Sequence, residues 1–318
     1  MISVLVVHGD RKTQRMLGRA ITSGFGPAVL CDDLETAMAA VNGRTYAVVT
    51  AELAAHPNLP ALVAALRAGG GDLLLCGEIG PPEVAALLRA HAIDHVVTTD
   101  PIASADELPL TLRTLARPDG LDSRGVERYL GYDVHLTELS PESTHGRITV
   151  LSAIRDGLAA MGIAARHERH AALIADELLA NAIHDAPHGP DPALRDSVRD
   201  VDRPLAGRDR PRLRWGADGR MLAIEVTDQF GSLDAATIRT HLAKLADRST
   251  RPRQGNGGAG LGLAMAFLAA TQLVFHLCPG RFTQAIGLID LRSRPDGGRT
   301  LVPSLHIFTE RGRAIDGC

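Results

Sequence analysis

Aromatic side chains make up only 3% of the 318 residues, and lysine occurs just twice, at Lys12 and Lys244. So few aromatics give no stacking platform for single-stranded nucleic acid. A formal charge of −3, with arginine as almost all the positive charge, gives no general basic field for a nucleic-acid partner. The four cysteines, Cys31, Cys76, Cys278 and Cys318, are far apart in sequence. None has metal-ligand spacing, which argues against structural zinc and a disulfide framework. The apolar run at Met1–Val7 lacks a basic leader and a long apolar core, so it does not read as a signal peptide. The most apolar 20-residue window, Gly258–Leu277, carries three glycines with Thr271, Gln272 and His276, and reads as a glycine-led buried helix followed by a strand. The expectation is a cytoplasmic protein with no membrane insertion and no nucleic-acid partner.

What is present is ordinary globular material, 45% hydrophobic and 22% charged, long enough for two domains at about 150 residues each. Residues 1–117 alternate short apolar runs (Ile2–Val7, Ala28–Cys31, Tyr46–Ala51, Leu73–Cys76, His95–Val97) with Ala/Leu-rich stretches (Lys12–Ser23, Leu34–Asn42, Leu59–Ala68, Pro82–His91). Strands alternating with helices imply a doubly wound parallel sheet. Residues 118–133 read as a linker. The second domain, 134–310, has a different order. A strand over Val134–Leu139 precedes helices over Gly146–Met161 and His167–His184. The polar stretch Asp185–Arg212 reads as a flexible insertion. Then come a strand over Leu222–Asp228, a helix over Ala235–Ala246, a Gly/Arg-rich loop over Asp247–Gly260, a helix over Leu261–Thr271, and strands over Leu273–Cys278 and Ala285–Arg292. That order predicts an α/β sandwich.

The first domain resembles the response-regulator receiver, a flavodoxin-like α/β fold. Val4-Leu-Val-Val matches its first strand, Tyr46-Ala-Val-Val-Thr-Ala-Glu-Leu its third, and Asp100-Pro101 the Lys-Pro after its fifth. Phosphoryl transfer to Asp needs an acidic pair for Mg²⁺, a carboxylate nucleophile, a hydroxyl and a lysine. Here His8 and Gly9 take the place of the acidic pair, with Asp10 nearby. Glu52, or Thr50 in a shifted register, takes that of the nucleophile, Cys76 the hydroxyl residue and Asp100 the lysine. The resemblance implies a pseudo-receiver that is not phosphorylated and serves docking or dimerisation, a homodimer being one such assembly.

In the second domain three segments carry chemistry. Glu177 and Asn181, four apart, share a helix face, with Asp185 one turn on. A carboxylate and an amide so placed can activate a hydroxyl and ligate Mg²⁺. The strand ending in Asp228-Gln-Phe-Gly-Ser delivers a carboxylate into a turn, where it can accept a hydrogen bond from an exocyclic amine. Gly255-Asn-Gly-Gly-Ala-Gly-Leu-Gly-Leu is a glycine cluster leading into a helix, a place where backbone amides approach an anion. Each segment alone has an ordinary structural reading, as a solvated helix, a turn-starting Asp or a mobile loop.

Together, in this order, they resemble the Bergerat-fold (GHKL) ATPases. Glu177 and Asn181 match the N box, Asp228 and Gly231 the first glycine box, Gly258, Gly260, Leu261 and Gly262 the second, and Thr283 the final Gly-Thr region. Phe230 and Ser232 stand where the first glycine box carries glycines. Within the superfamily the anti-sigma-factor serine kinases look most similar. The resemblance implies ATP and Mg²⁺ as cofactors, with Glu177 as general base, Asn181 as Mg²⁺ ligand and Asp228 as adenine reader. It implies a signal-transduction regulator that phosphorylates a protein partner on Ser/Thr or sequesters it according to nucleotide state. The alternatives are a non-catalytic scaffold or adaptor, or a histidine kinase lacking its own phosphoacceptor domain. No helical hairpin precedes the ATP motifs, so His145, His167, His170 and His184 read as surface or core histidines.

Overall fold

The computed structural model describes residues 2–98, 106–117, 125–188, 201–246, 261–292 and 302–310. It is a mixed α/β protein that divides into two compact units. The first comprises Met1–Gly120, Ala243–Arg251 and Gly298–His306; the second comprises Leu121–Leu242, Pro252–Gly297 and Ile307–Cys318. Two late segments thus fall with the first unit, a division that chain order alone does not show.

In the first unit, β1 (Ser3–Val7), β2 (Ala28–Cys31), β3 (Thr45–Thr50), β4 (Asp72–Cys76) and β5 (His95–Val97) pair in parallel in the order β2-β1-β3-β4-β5. The central strands are apolar on both faces because helices cover both. On one side α1 (Arg11–Gly24) packs with α5 (Glu107–Ala116). There Leu17, Ile21, Leu108 and Leu112 meet Val4, Val6, Val48 and Leu74 in one buried cluster. Another group is formed by α2 (Leu34–Ala40), α3 (Leu59–Ala68) and α4 (Pro81–His91), in which α2 packs with α3 and α3 with α4. Local chemistry sets the ends. Asp10 and Asp33 cap α1 and α2 by accepting from the Thr13 and Thr36 amides. Residues Leu305 and His306, from β11 (Ser304–Thr309), pair antiparallel with Val96 and His95.

The second unit is built on antiparallel pairs in the order β9-β10-β8-β7-β6: β6 (Thr137–Leu139), β7 (Arg212–Ala217), β8 (Met221–Asp228), β9 (Gln272–Cys278) and β10 (Phe282–Asp290). On one face lie α6 (Arg147–Ala160), α7 (Ala165–Ala180) and α9 (Leu261–Ala269), with α7 packed on both α6 and α9. The other short helix, α8 (Ala235–Ala243), follows the β8 turn and is capped by Asp234, whose Oδ1 accepts from the Thr237 amide at 2.7 Å. The window Gly258–Leu277 resolves, within the described residues, into α9 and β9, and no helix among the described residues is long and apolar enough to cross a membrane.

Two differences from the sequence reading stand out. The strand β7 begins at Arg212, where the stretch read as a flexible insertion ends, and continues to Ala217. Residues 201–205 of that stretch are tied down by reciprocal bonds: Thr144 N to Arg203 O at 3.0 Å, Arg203 N to Thr144 Oγ1 at 3.1 Å, and Leu205 N to Glu142 O at 2.8 Å. A buried Leu205 anchors them. The second difference is a buried ion pair on the sheet face away from α7. The Glu225 carboxylate, wholly buried, accepts from Arg214 Nε and Nη2 at 2.8 Å each and from the Val126 amide at 3.0 Å, while Arg214 also binds Glu127. The turn at Val126–Arg128, in the stretch read as linker, is fixed on the sheet by these bonds and by the buried Val126.

Removing one partner of such a pair leaves a buried charge uncompensated. Arg214→Leu is therefore expected to lower unfolding stability by about 3–5 kcal/mol in chemical denaturation. The double change with Glu225→Leu is expected to recover more than half of that loss. A single variant as stable as the parent would show that the pair is not structural.

Candidate functional site

Between α7 and the sheet of the second unit lies a cavity of about 320 Å³, near the lower end of the roughly 300–1,000 Å³ typical of small-ligand sites. Its apolar wall is made by Leu178, Val226, Leu263, Phe275 and Ala285, and its polar groups are Asn181, Asp185, Asp228, Ser232, Asp234, Thr237, His241 and Thr283. Asp228 and Thr283 are buried, whereas Ser232 and Asp234 are exposed, so the cavity runs from a closed end to an open one. The described lining holds three carboxylates and neither lysine nor arginine. The closed end therefore suits a hydrogen-bond donor.

Asp228 ends β8 and turns its carboxylate back on its own chain. Oδ1 accepts from the Phe230 amide at 2.8 Å and the Gly231 amide at 3.1 Å. Burial pushes this carboxyl up from its ordinary value, and the two amide bonds offset part of that rise. Gly231 has φ +61°, and a Cβ there would lie 2.2 Å from Cys278 O and 2.7 Å from Arg281 N. Only glycine fits this position. Its carbonyl accepts from the Gly280 amide at 3.0 Å, which binds the turn after β8 to the β9–β10 hairpin. Thr283 stands opposite Asp228 in the antiparallel register of β10 on β8. Phe230 is covered by the Arg208 guanidinium, 4.6 Å from the ring centroid, and Arg208 Nε donates to Gln229 O at 2.8 Å.

Asn181 and Asp185 reach the cavity through a feature the sequence does not announce. The helix expected through His184 is α-helical only to Ala180; Asn181–Asp185 form a π-helical turn, with the Ala186 amide donating to Asn181 O. Such wide turns occur often at functional sites. Here Leu178, Asn181, Ala182, Asp185 and Ala186 all line one wall.

The nominated residues thus separate into groups. Asn181, Asp185, Asp228 and Thr283 line the cavity, and Gly231 braces it from behind. Glu177 does not line it. Its half-buried carboxylate sits against the first turn of α9, where a Cβ on Gly262 would lie 2.0 Å from Glu177 Oε2. Leu261, half-buried, begins that helix. Gly258 and Gly260, with the Gly/Arg-rich loop Asp247–Gly257, lie outside the described residues. Polar lining residues missed in the sequence are Ser232, Asp234, Thr237 and His241. Asp234, Thr237 and His241 are three and four apart, a helix-face spacing that was there to be read. Among the described residues no group of three or more His, Cys, Asp or Glu is arranged to hold a metal ion.

In the first unit the positions compared with a receiver site sit at the carboxyl ends of the parallel strands. His8 Nδ1 accepts from the Asp10 amide at 2.7 Å, and His8 Nε2 lies 3.8 Å from the exposed Glu52 Oε2. Asp10 is engaged as a helix cap: its Oδ2 accepts from Thr13 N and Thr13 Oγ1, both at 2.8 Å. These bonds hold its carboxyl below the usual range. Burial pushes the Cys76 thiol up to about 12, which keeps it neutral. Thr50 is buried, and Asp100 lies outside the described residues. Of the histidines, His167 and His184 are buried and His170 is exposed; burial holds the His167 imidazole below its ordinary value.

Comparison with protein-family models finds no match, and comparison with curated proteins finds none either.

Asp228 yields a stability prediction with a definite sign. A carboxyl whose folded value is raised favours the folded state most when protonated, and that contribution is lost as pH rises through the folded value. Asp228→Asn keeps an acceptor for both amides and removes the charge. Thermal unfolding at pH 4 to 8 should show the variant more stable than the parent at pH 7 to 8. The difference should shrink as pH falls toward the unfolded carboxyl value of about 3.9. A variant less stable than the parent across this range would mean the charge itself holds the turn.

Proposed function

We propose that the second unit is a Bergerat-type nucleotide-binding domain that takes Mg-ATP, in a signalling protein whose first unit is a receiver-like docking domain. The observation that carries this reading is the convergence of Asn181, Asp185, Asp228 and Thr283, nominated from separate sequence segments, on one cavity. The residues fit the ligand in two respects. The closed end offers a buried carboxylate whose Oδ1 is fixed in place by two backbone amides, an acceptor of the kind that recognises the exocyclic amine of adenine. The π turn offers two oxygen-bearing side chains, and Mg²⁺ is commonly held by one or two such oxygens together with phosphates. When bound, ATP supplies a transferable phosphoryl group and Mg²⁺ neutralises charge upon it. On this reading Asp228 selects the base, Asn181 and Asp185 hold the cation, and Glu177 is the carboxylate available to take a hydroxyl proton from a Ser/Thr of the partner.

The first unit supports its part of the reading through its strand order, one of the two common doubly wound orders and that of flavodoxin-like folds. Its departures from a phosphorylatable site make it a docking element. A second reading, a nucleotide-gated scaffold without catalysis, is favoured by one observation: the Glu177 carboxylate is lodged against Gly262 at the start of α9 and not on the cavity wall.

Calorimetry with ATP and ADP, with and without Mg²⁺, tests the reading. The parent should bind ATP more tightly with Mg²⁺. Asn181→Ala should weaken Mg-ATP binding by about tenfold, roughly the loss of one hydrogen-bond-strength ligand. No heat with either nucleotide would overturn the proposal. Glu177→Gln separates the two readings: a kinase keeps its affinity and loses about 10²–10⁴-fold in phosphotransfer, whereas a gated scaffold has no transfer to lose.

A further inference from the structure

The outer face of α1 carries Arg11, Lys12, Arg15 and Arg19, all exposed. None of the four forms an ion pair with a described residue. Arg11, Arg15 and Arg19 are four apart and make one stripe, about 12 Å long at 1.5 Å per residue; Lys12 lies beside it. The helix contains no acidic residue. Arg11 and Lys12 lie in its first turn, where the helix dipole favours anions, so helix stability does not account for them. The net charge of −3 makes an unpaired basic stripe a local departure from the whole chain.

Beside the stripe lies exposed apolar surface. The edge strand β2 presents Leu30 at 42% exposure. Leu30 lies on the α1 side, since a Cβ on Gly18 would be 3.0 Å from Leu30 Cδ2. Gly18 follows Arg11 by seven residues and Arg15 by three, so it shares their side of the helix. Cations and an apolar anchor are therefore contiguous.

We propose that α1 and the adjoining β2 edge form a docking surface for an acidic protein segment that also carries apolar side chains. Charge complementarity selects the acidic partner, and Leu30 selects one with apolar groups. A nucleic-acid backbone offers nothing to that side chain. An extended polyanion or an anionic bilayer would also meet the net negative charge of the rest of the chain. The proposal rests on the docking role given above to the first unit and not on nucleotide binding, so a failed ATP titration leaves it standing.

The test is fluorescence anisotropy of a labelled peptide of alternating Glu and Leu, titrated with the full-length protein at two salt concentrations. The controls are a Lys/Leu peptide, a single-stranded oligonucleotide and vesicles of anionic lipid. The Glu/Leu peptide should bind with an affinity that falls with salt. The combined Arg11→Glu, Arg15→Glu and Arg19→Glu variant should weaken it by at least about tenfold. Leu30→Ser should weaken binding while leaving the salt dependence in place, which gives a second reading should the triple variant melt early. Unchanged binding by both variants, no binding of the Glu/Leu peptide, or tighter binding of the oligonucleotide or the vesicles would overturn the proposal.

Discussion

Asp228 closes β8 by folding its carboxylate onto the amides of Phe230 and Gly231, and the second unit is organised around that closure. The turn it forms admits only glycine at 231, because the β9–β10 hairpin presses against it. The pairing of β10 with β8 brings Thr283 opposite Asp228. A charged group is thereby kept buried at a site where an uncharged one would be easier to hold. Burial raises the Asp228 carboxyl above its ordinary value, and groups shifted in this way inside clefts cluster at functional sites. The π turn on α7 supplies the facing wall, and it too departs from the regular geometry that packing alone favours.

The first unit shows the opposite economy. Asp10 and Asp33, which follow the ends of β1 and β2, are engaged as caps of α1 and α2. Cys76 is a neutral thiol held in the core. Open to solvent are the basic outer face of α1 and the apolar edge at β2, the two features on which the proposed docking role rests.

Much of this was legible in the sequence. Apolar runs between Ala/Leu-rich stretches located β1 to β5 and α1 to α4 to within a residue or two, because two covered sheet faces demand continuous apolar strands. Asp228 and Asn181 could be nominated because their segments, with the glycine cluster after them, resemble the ordered Bergerat motifs; each segment alone has an ordinary structural reading. Three features were hidden. The strand β7 alternates Leu213 and Trp215 with Arg212 and Arg214, and Arg214 reads as a surface residue until Glu225 is seen beneath it. The π turn depends on a single shifted hydrogen bond and has no compositional mark. Segments 243–251 and 298–306 belong to the first unit through tertiary contacts that no local pattern encodes.

The central claim is that a nucleotide enters the cavity between α7 and β8 with its base at Asp228. Hydrogen exchange resolved by peptide, with and without saturating Mg-ATP, addresses it directly. The account predicts slowed exchange in two separate stretches, residues 178–188 and 226–238, with Asp228→Asn abolishing the protection in both. Protection confined to other parts of the chain, or none at saturating nucleotide, would contradict it.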